Sequence, residues 1–143
     1  MINIYLDTSG SMFEMGKDSA QLYIAKSIKD YCDFKGLNST FFTLNGTIIK
    51  DLSLIKYSND IKLDTKNIKS NSILLSDGLF HSEEEHIFNM AISIGIDSDT
   101  SNLKKISTKV FSSDNILAGL EYLLFANNLL NSNITQKDDE DEW

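Results

Sequence analysis

Short apolar runs alternate with stretches of helical periodicity along the whole chain, and this alternation limits the fold more than any other feature. Residues 1–6 read as a strand. Over residues 19–35, Leu22, Ala25, Ile28 and Cys32 recur at helical spacing, and Gly36 stands where a helix-terminating glycine is expected. Residues 39–44 and 47–52 are strand-like, and Asn45-Gly46 between them predicts an antiparallel hairpin. Residues 72–76 have the character of a buried strand, 89–96 of another, and 109–111 of a short last one. Residues 101–108 predict a two-turn helix, and 113–130 an amphipathic one carrying Leu117, Leu120, Leu124 and Leu129. Two stretches are weaker. Residues 53–71 are polar, with at most a helical turn near 54–57, and Ser82 with Glu85 forms a capping box for a brief helix. Strands alternating with helices predict an α/β domain built on a mostly parallel sheet.

A chain of 143 residues is the size of one such domain, and a hydrophobic fraction of 41% is ample for its core. We place the domain at residues 1–132 and an acidic tail at 133–143. The formal net charge is −8, and residues 137–143 set one Lys against five acidic side chains, so half of that charge sits in the tail. All basic residues are Lys, and no basic stripe is present, which argues against a nucleic-acid partner. Cys32 is the single cysteine and falls in a helical pattern, so it reads as a small buried apolar residue. No apolar run reaches the ~20 residues of a membrane span, and no signal peptide is visible. A cytoplasmic location is the expectation.

In parallel sheets, functional groups gather at the carboxyl ends of strands. Asp7 and Asp77 both stand at predicted strand ends. The loop Asp7-Thr8-Ser9-Gly10-Ser11 alternates a carboxylate with two hydroxyls, and Gly10 allows the tight turn. Oxygen-only donors of this kind suit a hard divalent cation such as Mg²⁺. With hydroxyls as direct ligands and carboxylates acting through water, the ion keeps positive charge and a position open to an external carboxylate.

Asp7-Thr8-Ser9-Gly10-Ser11-Met12 resembles the DxSGSM signature of von Willebrand factor type A domains, the first part of their metal-ion-dependent adhesion site. Ser76-Asp77-Gly78 is similar to the family's later Asp-Gly element, and residues 92–96 with Leu103 and Ile106 are similar to the strand and helix after it. The resemblance spans roughly residues 1–130. It implies a Rossmann-like three-layer fold with strand order 3-2-1-4-5-6, the third strand antiparallel. It implies metal ligation by Asp7, Ser9, Ser11 and Asp77, with Mg²⁺ or Mn²⁺ as the ion. The family's third hydroxyl comes from a threonine ahead of the Asp-Gly element, which here points to Thr65, only twelve residues before Asp77. The implied function is not catalytic: a protein-interaction module that takes an acidic side chain of a partner, as a subunit of a larger system.

Other readings follow from the same residues. Asp-x-Ser-Gly-Ser is also compatible with a plain turn and helix cap. An aspartate-nucleophile, HAD-type phosphatase also places an acid after its first strand, but it needs a second acid two residues on, where this chain has Ser9. A third reading keeps the fold and drops the metal. His81 and His86, five residues apart around three glutamates, do not share a helical face and read as a solvated segment. Phe41-Phe42 reads as sheet core. The tail, with Trp143 after its acids, is a mobile end or a docking peptide that competes for the metal.

Counting the predicted helices gives a last expectation. Right-handed crossovers place the first and last helices on one sheet face, leaving the second with a polar loop and the two-turn helix. Helices are therefore reduced on that face. An exposed apolar patch there predicts a partner or self-association.

Overall fold

The computed structural model describes residues 1–57, 66, 68–80, 82 and 84–126. Among them, six strands form one sheet in the order β3-β2-β1-β4-β5-β6. The strands are β1 (Ile2–Leu6), β2 (Ser39–Thr43), β3 (Ile48–Ile49), β4 (Ser72–Ser76), β5 (Phe88–Ser93) and β6 (Ser107–Ser112). β3 pairs antiparallel with β2, and every other pairing is parallel. The helices are α1 (Lys17–Lys35), α2 (Thr100–Ile106) and α3 (Ile116–Ala126). This is a Rossmann-like α/β fold, with the strand order the resemblance implied.

Alternation along each strand divides the core in two. Ile4, Leu6, Ile73, Leu75, Met90 and Ile92 pack with Ile24, Ile28 and Cys32 of α1 and Leu120, Leu123 and Leu124 of α3. Tyr5, Phe42, Leu74, Ala91 and Phe88 pack with Leu103 and Ile106 of α2. Phe41 and Phe42 thus serve opposite faces, both as core. Cys32 is buried, and burial pushes its thiol up to about 11, as an inert apolar residue requires.

The second face is not bare, and this corrects the expectation from helix count. Tyr5, Leu74, Phe88 and Ala91 are all buried. The reason is aromatic. Tyr5 stacks on Phe42 with centroids 4.9 Å apart and meets Phe88 edge-on at 5.5 Å, while Ile68, Phe80, Ile87 and Val110 close in around them. Three large rings and a few loop side chains cover area that a long helix would otherwise bury. The strand side chains of this face are thus covered within the chain itself, without a partner.

Several boundaries differ for local reasons. The hairpin turn is wider than a two-residue one: Gly46 N–H donates to Thr43 O, Thr43 N–H to Thr47 O, and Gly46 alone has positive φ. That is a three-residue loop with glycine in the left-handed position, which frees Leu44 to be buried. β3 is then only two residues long. β5 ends at Ser93 rather than at residue 96, and β6 begins at Ser107, inside the predicted α2. Ser82 Oγ accepts from Glu84 N–H, and no helix forms among the described residues of 82–86. α3 is preceded by a 3₁₀ turn at Ser113–Asn115 and is described to Ala126, with Leu117 exposed; Leu129 lies outside the described residues. Gly36 caps α1 in the left-handed conformation, as expected.

Candidate metal centre

Asp7 follows β1, and its N–H donates to Leu75 O of β4. Its carboxylate is fully buried. Oδ1 accepts from Ser9 N–H at 2.9 Å and Oδ2 from the Ser76 hydroxyl at 2.6 Å. Ser76 Oγ in turn accepts from Gly78 N–H at 2.8 Å, so the two strand ends are tied together through one hydroxyl. Burial holds the Asp7 carboxyl above the usual carboxylate range; the hydrogen bonds from Ser76 and Ser9 offset part of this, and the nearby charge of Asp77 adds to it. Among the described residues Asp7 has no ion pair.

Residues Gly10–Phe13 form a 3₁₀ turn in which Ser9 stands at the cap position, yet its side chain makes no capping bond. Instead Ser9 Oγ faces Ser11 Oγ at 3.4 Å. The neighbouring Thr8 hydroxyl is buried and has no hydrogen-bond partner among the described residues. The Asp7 turn exists, but its serine hydroxyls are not spent on capping. Met12 anchors the loop by entering the core beneath it.

Two residues that sequence reasoning passed over shape the site. Gln21 of α1 is buried, and its side-chain amide bonds both backbone groups of Asp7: Nε2 donates to Asp7 O and Oε1 accepts from Asp7 N–H, each at 3.1 Å. Gln21 Nε2 also donates to the Tyr57 hydroxyl at 3.2 Å. Lys17, the first residue of α1, is 1% exposed. Its Nζ lies 2.9 Å from Asp77 Oδ2 and 2.9 Å from Asp97 Oδ2. Burial by itself lowers an ammonium's pKa, but the two carboxylates outweigh that and hold Lys17 above the usual lysine range. The helical stripe carried the signal. Stepping back from Ile28 through Ala25 and Gln21 by three or four residues lands on Lys17.

Asp77 is thus already engaged. Oδ2 takes the Lys17 ammonium, and Oδ1 accepts from Leu79 N–H at 3.0 Å. The structure brings Asp7, Ser9, Ser11 and Asp77 to one sheet edge, but it assigns Asp77 a protein cation. Thr65 lies outside the described residues, as do His81 and the acidic tail. His86 is exposed with a positive φ. Among the described residues no three His, Cys, Asp or Glu side chains converge as a ligand group. The donors are instead one buried carboxylate and a facing pair of hydroxyls, an all-oxygen set that fits a hard divalent cation and not Zn²⁺ in a His/Cys cage.

The rim of this edge carries exposed apolar side chains. The loops after β1, β4 and β5 carry Phe13, Met15, Leu79 and Ile96, all exposed, with Ile96 at 96%. Compared with known protein families and with curated proteins, the chain gives no match. No helix among the described residues is long and apolar enough to cross a membrane.

Proposed function

We propose that this chain is a von Willebrand A-type protein-interaction module, not an enzyme, working in the cytoplasm as a subunit of a larger assembly. A divalent cation, Mg²⁺ or Mn²⁺, is held at Asp7, Ser9 and Ser11, with Asp77 nearby and Thr65 as a further ligand. The ion supplies a Lewis-acidic position that an acidic side chain of the partner completes. The observation that carries this reading is Asp7, a fully buried carboxylate without an ion pair among the described residues, beside two hydroxyls that cap nothing. A buried charge is costly unless paired, and a cation at this edge removes the cost. The exposed Phe13, Met15, Leu79 and Ile96 offer apolar contact to a protein partner.

Hydrolysis fits the site poorly. Ser9 occupies the position where an aspartate-nucleophile phosphatase needs its general acid. With a phosphate monoester and saturating Mg²⁺, the full chain is expected to show no turnover above that of Asp7→Asn. A clear Asp7-dependent rate would instead establish the phosphatase reading.

Titration calorimetry with magnesium chloride tests the ligand set. Replacing both Ser9 and Ser11 by Ala should weaken Mg²⁺ binding at least tenfold while leaving the melting temperature in chelator unchanged within about 2 °C. Equal affinity in the double variant would remove the hydroxyls from the site. The metal-free scaffold reading has one observation in its favour, the neutralisation of Asp77 by Lys17. Absence of any Mg²⁺ heat with the unaltered chain would favour it.

A further inference from the structure

The Lys17 side chain is built into the edge rather than resting on it. Gly95 has φ +93°, and a Cβ at that position would lie 2.6 Å from Lys17 Cδ and 2.9 Å from Asp97 Oδ1. The backbone therefore leaves room for the lysine stem to pass. Gly16, at φ +74°, precedes it and turns the chain into α1. The ammonium then bridges two loops, reaching Asp77 after β4 and Asp97 after β5. The anchor loops are themselves joined, since Asp99 N–H donates to Asp77 O at 2.7 Å and Ile94 N–H to Ser76 O at 3.0 Å.

We propose that Lys17 is an internal rival of the divalent cation: it neutralises Asp77, lowers the affinity of the edge for metal, and holds the loops in shape when no metal is bound. This rests on reading Asp7, Ser9 and Ser11 as the cation-binding edge. Asp7 and Asp77 stand at adjacent strand ends that the Ser76 hydroxyl ties together. An ion entering beside Asp7 thus meets one carboxylate with no ion pair among the described residues and one already paired, with a fixed positive charge behind it. A like unit charge next to a divalent ion is worth about tenfold in affinity even under strong screening. Lys17 is a positioning residue in this account and touches no partner. Its charge also leaves the loaded edge more positive than an edge with Asp77 free, which favours an acidic side chain as the completing ligand.

The test uses the full chain, with magnesium chloride as the only probe, read by calorimetry and by thermal unfolding. Lys17→Met should bind Mg²⁺ at least tenfold more tightly than the unaltered chain. In chelator it should melt many degrees lower, because Asp77 is left buried and unpaired, and Mg²⁺ should restore most of that loss. Folding only in the presence of Mg²⁺ would be the extreme form of the same result. Unchanged or weaker Mg²⁺ affinity in Lys17→Met would overturn the proposal, and so would an unchanged melting temperature in chelator. The charge-balanced double variant, Lys17→Met with Asp77→Asn, guards against a folding failure of the single one. It should fold in chelator and bind Mg²⁺ within a fewfold of the unaltered chain, since Asp77 is out of play in both. Much weaker binding by the double variant would mean that Asp77 serves the ion despite Lys17, and the proposal would fall. The outcomes also separate the two readings. Mg²⁺ binding by Lys17→Met alone upholds the rivalry and removes metal from the native edge. Equal binding by both proteins removes the rivalry and keeps the metal. No binding by either overturns both.

Discussion

Tyr5→Ala should lower the stability of the domain by about 3–5 kcal/mol, the usual range for deleting a buried aromatic ring. Tyr5 is 1% exposed, stacks on Phe42 and meets Phe88 edge-on, so its ring forms the centre of the second core. Its removal leaves a cavity within the cluster formed by Phe42, Leu74, Phe88 and Ala91 of the sheet with Leu103 and Ile106 of α2. A domain of this size has only about 5–15 kcal/mol in total, and a loss of this order lowers the melting temperature by more than about 10 °C. Tyr5→Phe separates ring from hydroxyl. The Tyr5 oxygen accepts from Lys69 N–H at 3.1 Å, and the phenylalanine variant should lose about 1 kcal/mol or less. Thermal or urea unfolding of the two variants measures both effects. A Tyr5→Ala loss below about 1 kcal/mol would mean that the second face is open after all, and the original case for a partner on it would return.

The parts of the fold that were legible in the sequence are those set by local pattern. β1 ends at Leu6 and delivers Asp7 because an apolar run gives way to a polar, glycine-containing loop. β4 ends at Ser76 and delivers Asp77 for the same reason. The hairpin was legible from Asn45-Gly46, although not its loop length, which depends on Leu44 finding a buried place. The strand order came from the resemblance and agrees with the pairing seen. The illegible parts depend on distant partners. The second face looked bare because helices were counted, whereas its cover comes from rings on β1, β2 and β5 that meet only in the folded sheet.

The site shows the same division. Asp7, Ser9 and Ser11 form a contiguous motif and could be read as one. Lys17 could not, because a lysine at a helix start reads as solvated, and the carboxylates that bury it lie 60 and 80 residues further along. Gln21 was hidden in the same way, as a polar residue whose partner is the Asp7 backbone. Both lie on the buried stripe of α1, so burial of polar residues on an apolar stripe was the available sign. Asp97 has no motif around it in the sequence; its place beside Lys17 depends on the turn at Gly95.

Asp7→Asn should stabilise the protein in chelator and make it indifferent to Mg²⁺. Asparagine keeps the shape and can still accept from Ser9 N–H, while the buried unpaired charge is gone. The sign of the pH dependence follows from burial. Asp7 has its folded-state pKa raised, first by desolvation. Between its unfolded value near 3.9 and that raised value, the folded chain binds more protons than the unfolded one. Stability from this group therefore rises as pH falls through the raised pKa and levels off near the unfolded value. The advantage of Asp7→Asn over the unaltered chain should be greatest near neutral pH and shrink on acidification. A difference that grows on acidification would mean that Asp7 is stabilised as a charge in the metal-free fold, and the case for a missing cation would weaken.

The same pair of proteins gives the most direct test of the central claim, that this edge holds a divalent cation at Asp7, Ser9 and Ser11. Thermal unfolding of the unaltered chain and of Asp7→Asn is compared at neutral pH in chelator and in Mg²⁺ at about a hundred times its dissociation constant from calorimetry. The unaltered chain should gain about 2.7 kcal/mol from the metal, the linkage value at that saturation, and Asp7→Asn should gain none. An equal gain in both proteins would place the ion elsewhere, and no gain in either would leave the edge without a metal.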